Sequence, residues 1–318
     1  MAAAPPPPSP ESPATSPATH AVPGVHPSSD RESPPTARVL SVLEYLAVAP
    51  ARAVTPADLV RELGITRSTS RLILSALARG GYAHRDDSSG KFRIGPAAIA
   101  LGRAARERTP LCLVVSGVLQ RVADDMRVSC SINTRVGDDF FVLERIGAPN
   151  VHADPFGRAG VRLPFAAPLG APFAAFAPDQ QRERWFERGK VGSEQRDRWE
   201  AILESIRHDG YHVRVLASGL QADMADVLDQ IVASPGPSTA QHAEALADML
   251  ASLRRHETTS DATATSISMP VKNGDGDVEL GVIVHVPHDG FDRGDAQDLA
   301  RQVRSLIESA SALVSGMR

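Results

Sequence analysis

Between Thr55 and Asp86 the chain reads TPADLVRELGITRSTSRLILSALARGGYAHRD, two short amphipathic segments hinged at one glycine and closed by two more. Few arrangements accommodate such a stretch. Thr55 is a good N-cap, Pro56 suits the first helical position and Asp58 lies near the positive helix terminus. A helix therefore starts here, with Leu59, Val60 and Leu63 facing inward and Gly64 ending it. Ile65 and Thr66 lead into another helix, whose apolar positions Ile73, Leu74 and Leu77 pack back on the first and which Gly80-Gly81 closes. Upstream, Val39, Leu40, Leu43, Leu46 and Ala47 recur at helical spacing until Pro50. Downstream, YAHRDDSSGKFRIG sets Tyr82 and His84 against Phe92 and Ile94 across a Ser88-Ser89-Gly90 turn. Three helices and a hairpin make a winged helix-turn-helix.

Such a unit suits duplex DNA for steric reasons. A helix about 10 to 12 Å wide fits a major groove about 12 Å across, entering by its N-terminus. The third helix opens with Thr66, Arg67, Ser68, Thr69, Ser70 and Arg71, whose guanidinium and hydroxyl groups suit base edges or phosphates. The wing would bring Lys91 and Arg93 to the flanking backbone. Residues 37–95 carry nine basic residues against five acids, although the whole chain has a formal charge of −4. Local positive charge within an acidic protein is the footprint of a polyanion partner.

The remainder sorts into a tail, a connector and a second domain. Residues 1–36 are rich in Pro, Ser and Ala and carry almost no large apolar side chains, so a disordered tail is expected, and without a basic or apolar region it is no secretory signal. Residues 96–110 read as a polar-faced linker helix that Pro110 ends. From residue 111 to 318 an amphipathic helix, two hairpins, a small-residue segment LPFAAPLGAPFAAFA, two charged helices around Trp185 and Trp199 and a final helix from Asp295 to Val314 predict an α+β domain with an antiparallel sheet. Hydrophobic residues make up 42% of the chain without any run long enough to span a bilayer, and two cysteines, Cys112 and Cys130, form neither a disulfide framework nor a zinc set. A cytoplasmic protein without membrane contact, cofactor or metal is expected.

Beyond Ala37, the stretch LVRELGITRSTSRLILSALARGGYAHRDDSSGKFRIGPAAIALG resembles the IclR family of bacterial transcriptional regulators nearly residue for residue. VGDDFFVLERIG, RLPFAAPLGAPFAAFA, IRHDGY and SISMPV followed by ELGVIVHVPHDGF resemble the family's GAF-like effector-binding domain more loosely. The resemblance implies an operator-binding regulator, a homodimer or dimer of dimers, and a small-molecule effector in the C-terminal domain. It also exposes departures. Ser70 stands where the family usually has an apolar residue and Leu72 where it has a polar one. Val215 and Leu216 replace an acidic pair, and residues 221–265 look inserted, with helices expected over 222–233 and 240–255. The small polar residues that line the family's pocket on its last strand are Val284 and Val286 here. A pocket walled by Phe165, Pro168 and Leu169, floored by Ser268 and Met269 and closed by Val284 and Val286 would take an apolar or aromatic ligand.

Two rival classes compete with this reading. An enzyme could use His285 with His288 and Asp289, or His152 with Asp154, but residues three apart on a strand diverge, and no GxSxG or phosphate-cradling loop occurs. NGDGD is a hairpin turn, since Val278 and Val284 occupy the positions where a calcium loop needs Gly and Glu. A C-terminal domain that serves only assembly is the other rival.

Overall fold

The computed structural model describes residues 33–48, 53–147, 159–217, 262–286 and 292–315, with only the backbone of 194, 215–217, 262–265 and 313–315. The chain divides between Ser33 and Pro34, and everything below concerns the second unit. The expected helices at 222–233 and 240–255 lie outside the described residues, as do His152, Asp154, His288 and Asp289.

The winged helix forms where local signals put it. Helix α1 runs Pro34–Val48, α2 Pro56–Leu63 and α3 Arg67–Arg79. Helix α1 opens three residues before Ala37, because proline costs nothing in a first turn whose N–H groups lack partners anyway. At α2 the Thr55 hydroxyl accepts from the Asp58 N–H at 3.2 Å while the Asp58 carboxylate accepts from the Thr55 N–H at 2.8 Å. This reciprocal cap satisfies two of the four orphan donors. Gly64 ends the helix at φ +63, a conformation that a side chain would strain. Val42, Leu46, Leu59, Leu74 and Phe92 close the core between the helices and the wing.

Strands β1 (Ala83–Arg85) and β2 (Phe92–Ile94) make the wing, with Val54 bridging Phe92 through two backbone hydrogen bonds of 2.8 Å. The expected phase of β1 is off by one. Ala83 and Phe92 are buried while His84 points to solvent opposite Arg93, since the small Ala83 fits against the helices where an imidazole would not. Gly95 follows, so tightly placed that an added Cβ would lie 2.2 Å from the Gly81 carbonyl oxygen.

Helix α4 (Ala97–Glu107) connects to α5 (Pro110–Met126), so Pro110 both ends the linker and starts the next helix. Then β3 (Ser129–Val136), β4 (Asp139–Ile146), β5 (Arg162–Pro164), α6 (Ala171–Ala174), α7 (Asp179–Arg188), α8 (Ser193–Asp209), β6 (His212–Ala217), β7 (Ala262–Lys272), β8 (Val278–His285) and α9 (Arg293–Ser315) follow. Residues 262–265, assigned to the inserted segment from sequence, belong to β7 and pair with β6. The six strands form one antiparallel sheet in the order β5-β4-β3-β8-β7-β6.

This sheet has two chemically different faces. Cys130, Val284, Ile267 and Val213 are in register across four strands, as are Ile132, Val282 and Met269 on three of them, and all belong to the core that α5 and α9 cover. The alternate residues face the other way. There a second core gathers Phe165, Phe173, Trp185, Phe186, Trp199 and Leu203, with Trp185 and Trp199 edge-to-face at 5.7 Å and the Trp185 Nε1–H donating to the Leu169 carbonyl at 2.6 Å. Phe173 lies directly over Gly281 of β8, where an added Cβ would meet its ring at 2.8 Å.

Candidate nucleic-acid interface and the polar face of the sheet

Helix α3 buries Ser70, Ile73, Leu74 and Leu77. At about 100° per residue, the opposite direction is occupied, within roughly 30°, by Ser68, Leu72, Ser75 and Arg79. All four are exposed, Leu72 by 72%. Arg67 and Arg71 flank this face on the side of α2 and the wing, both in solvent.

Ser70 is no DNA contact. It is fully buried and its hydroxyl donates to the Thr66 carbonyl one turn back at 3.0 Å, which satisfies it inside the core. Polarity in the sequence did not mean exposure here. Thr66 is the N-cap of α3, its hydroxyl accepting from the Thr69 N–H at 3.3 Å and lying 3.0 Å from Ser68 Oγ and 2.9 Å from Thr69 Oγ1. These hydroxyls shape the helix start that would enter a groove.

A groove of about 770 Å³ lies between the start of α2, α3 and the wing, and Arg67, Arg71, Arg79 and Arg85 line it with Ala57, Ser75 and Ala78. Among the described residues, no acidic one lines it. Arg79 and Arg85 carry no sequence signal for this site, because one sits at the end of α3 and the other on the wing, and only the fold brings them beside Arg67. The exposed Lys91 and Arg93 extend the positive surface along β2. The Asp86 carboxylate, at the entry to this hairpin turn and next to the exposed Asp87, accepts from the backbone and side chains of Ser88 and Ser89, which hold it far below the usual carboxylate range and tie it into the turn.

The second arrangement lies on the sheet face beneath Phe165 and Phe173. Ser129, His285, Ser266 and Arg214 are in register across four strands, and so are Ser131, Ile283, Ser268 and His212, with Arg145 beside Ser131. Ser129, Ser131, Asn133 and His285 are almost wholly buried. Asn133 donates to Ser131 Oγ and to the Gly281 carbonyl at 3.4 Å each, and Ser131 Oγ stands 3.5 Å from His285 Nε2. Among the described residues, Ser129 Oγ and Asn133 Oδ1 have no hydrogen-bond partner. Loss of solvation, with Arg214, Arg293 and Arg198 nearby, pushes His212 down to about 3, so its ring is neutral across the physiological range.

The pocket residues expected from sequence do not converge. Phe165, Pro168 and Leu169 lie over the polar face, and Arg214 donates to the Pro168 carbonyl at 3.3 Å; Ser268 shares that face. Val284, Val286 and Met269 belong to the opposite core under α5 and α9, so they cannot wall a pocket with Phe165. The neighbour His285, not Val284, looks into the polar side. Among the described residues no group of histidines, cysteines and carboxylates is disposed to hold a metal. No described helix is long and apolar enough to cross a membrane.

Residues 35–87 match the family model of the IclR helix-turn-helix domain. Over 90% of this chain and 99% of that one, the structure is similar to an IclR transcriptional regulator from Alicyclobacillus acidocaldarius, at 17% identity and a TM-score of 0.61. An IclR homologue from Microbacterium hydrocarbonoxydans, solved in complex with 4-hydroxybenzoate, covers 88% of this chain and 99% of its own at 18% identity and a TM-score of 0.57. The IclR protein of Thermotoga maritima covers 87% and 97% at 12% identity and 0.54. No curated protein matches the sequence.

Proposed function

We propose that this chain, an IclR-family protein by its helix-turn-helix domain and its fold, is a transcriptional regulator whose operator affinity is set by a small molecule held against the polar face of the sheet. The observation that carries the DNA-binding part is the arginine-lined groove beside an exposed α3 face, with no acid among the described residues that line it. One such face offers few contacts, so two copies reading two half-sites about one helical turn apart are expected.

The ligand is a ring-sized compound carrying an oxygen-bearing or anionic group. Phe165 and Phe173 supply the apolar cover, while Ser129 Oγ and Asn133 Oδ1 are buried polar atoms whose unmet hydrogen bonds cost about 1 to 3 kcal/mol each. A ligand that pairs with them regains that cost. The homologue that binds 4-hydroxybenzoate fits this class of compound. Arg145 and Arg214, at the two ends of the serine rows, would favour negative charge. A route to the DNA-binding end is available through Glu144, the neighbour of Arg145: it accepts from Ser116 of α5 and faces Arg106 of α4 at 3.8 Å.

The test has two stages. The full chain is used to select duplexes from a random pool, and its melting temperature is then followed against aromatic acids, aliphatic acids and neutral aromatics. A ligand at one hundred times its Kd adds about 2.7 kcal/mol of stability and, if it distinguishes two domain arrangements, changes affinity for the selected duplex. Failure to enrich any duplex would sink the DNA-binding reading; stabilisation confined to neutral apolar compounds would sink the polar-face ligand.

A further inference from the structure

The outward face of α3 contains one residue that a polyanion partner does not explain. Leu72 is 72% exposed between Ser68, Ser75 and Ala76, on the face that projects away from the buried Ile73 and Leu77. A leucine held in water at the centre of an otherwise polar face gains nothing from the fold, and it makes no part of the domain core. It gains if something apolar meets it. Its surroundings restrict what that can be: the adjoining groove is lined by Arg67, Arg71, Arg79 and Arg85, a repulsive rim for a second copy of the same surface and an attractive one for phosphates.

In a DNA major groove the one apolar group on a base edge is the thymine C5-methyl. Resting on the reading that α3 enters that groove, we propose that Leu72 is a specificity-determining residue that recognises thymine by packing on its methyl group. Ser68 lies one turn toward the N-terminus and Ser75 nearly one turn beyond, so their hydroxyls would bond the base edges or phosphates on either side of the methyl contact. Arg67 and Arg71, on the flank, then supply the guanine or phosphate contacts. The half-site is thereby expected to contain a thymine, or two adjacent ones, at the position that the middle of α3 reaches.

A uracil scan separates this contact from every polar one, since deoxyuridine differs from thymidine only by the missing methyl. Duplexes enriched by the wild-type full chain are remade with each thymine replaced in turn, and affinities are compared for wild type, Leu72→Ala and Leu72→Gln. Removing one buried methyl from an apolar contact lowers wild-type affinity about fourfold at one or two positions per half-site. Both variants should bind the thymine duplex more weakly and show no penalty for uracil at those positions. Because Leu72 is exposed, both variants should fold, and an unchanged melting temperature confirms it. A flat scan with wild type, or an undiminished penalty in both variants, would overturn the Leu72 assignment while leaving DNA binding intact. A change of molecular mass in light scattering on Leu72→Ala would instead assign the residue to a contact between copies and overturn it too. If no duplex is enriched, the underlying DNA-binding reading falls, and this proposal with it.

Discussion

Val284→Ala tests whether the two faces of the sheet have been assigned correctly. Val284 is fully buried, and its register neighbours Cys130 and Ile267 are fully buried as well, between the sheet and the α5–α9 layer. Removing two methyl groups forfeits about 1.6 kcal/mol of transfer free energy at about 0.8 kcal/mol per group. Strands fixed on both sides leave little room for collapse, so a cavity term raises the expected loss to about 2 to 3 kcal/mol. Denaturant unfolding would read this as a lower midpoint at constant slope, while the ligand that stabilises wild type should bind the variant with unchanged affinity. Ser268→Ala, on the polar face, is expected to do the opposite: unfolding shifts by less than about 1 kcal/mol, and ligand affinity falls. A Val284→Ala protein of wild-type stability that no longer responds to ligand would show that the faces are reversed.

Other expectations follow from single residues. Gly95→Ala should destabilise the winged helix severely, because its Cβ meets backbone at Gly81 and Tyr82 that cannot rotate away, and loss of the first unfolding transition or of DNA binding would report it; full retention of both would contradict the close approach. His212 is held at about 3 against an ordinary 6.5, so below pH 6.5 the unfolded chain takes up a proton that the folded chain refuses. Stability should therefore fall with acidification between about 6 and 4, by up to about 1.4 kcal/mol per pH unit relative to His212→Asn, and parallel pH profiles of the two proteins would refute the assignment. Arg71→Ala should weaken operator binding by about 1 to 3 kcal/mol if the side chain reads a base, with altered preference at one position, whereas Lys91→Ala should weaken all duplexes alike and flatten the salt dependence.

The amino-acid sequence announced the N-terminal unit because its signals are local. Thr55, Pro56, Asp58 and Gly64 each act within one turn of where they stand, and their cap forms as their order implies. The antiparallel α+β architecture was likewise foreshadowed by turns such as Asn273 to Gly276, whereas the strand order, which sets β3 beside β8, has no local signal. Facing was harder. In VELGVIVHV, residues on both faces of β8 are buried and Ile283 is as apolar as Val282 and Val284, so no clean alternation fixes the phase, and the residue at the polar side is His285 rather than Val284. Ser70 was misplaced for a similar reason: its polarity suggests solvent, whereas the helix period places it in the core beside Ile73 and Leu74 and leaves Leu72 outside. The groove arginines Arg79 and Arg85 carry no local signal, since their meeting depends on how the wing folds beside α3.

Whether α3 meets duplex DNA is tested most directly by the equilibrium affinity of the full chain for its selected duplex as a function of salt, compared with an Arg67→Ala/Arg71→Ala double variant. Wild type should bind tightly, with log K falling steeply as log salt rises, and the double variant should lose at least about tenfold in affinity and about two units of slope per protomer, at an unchanged melting temperature. Equal affinities and equal slopes for the two proteins would show that this helix is not where the protein touches DNA.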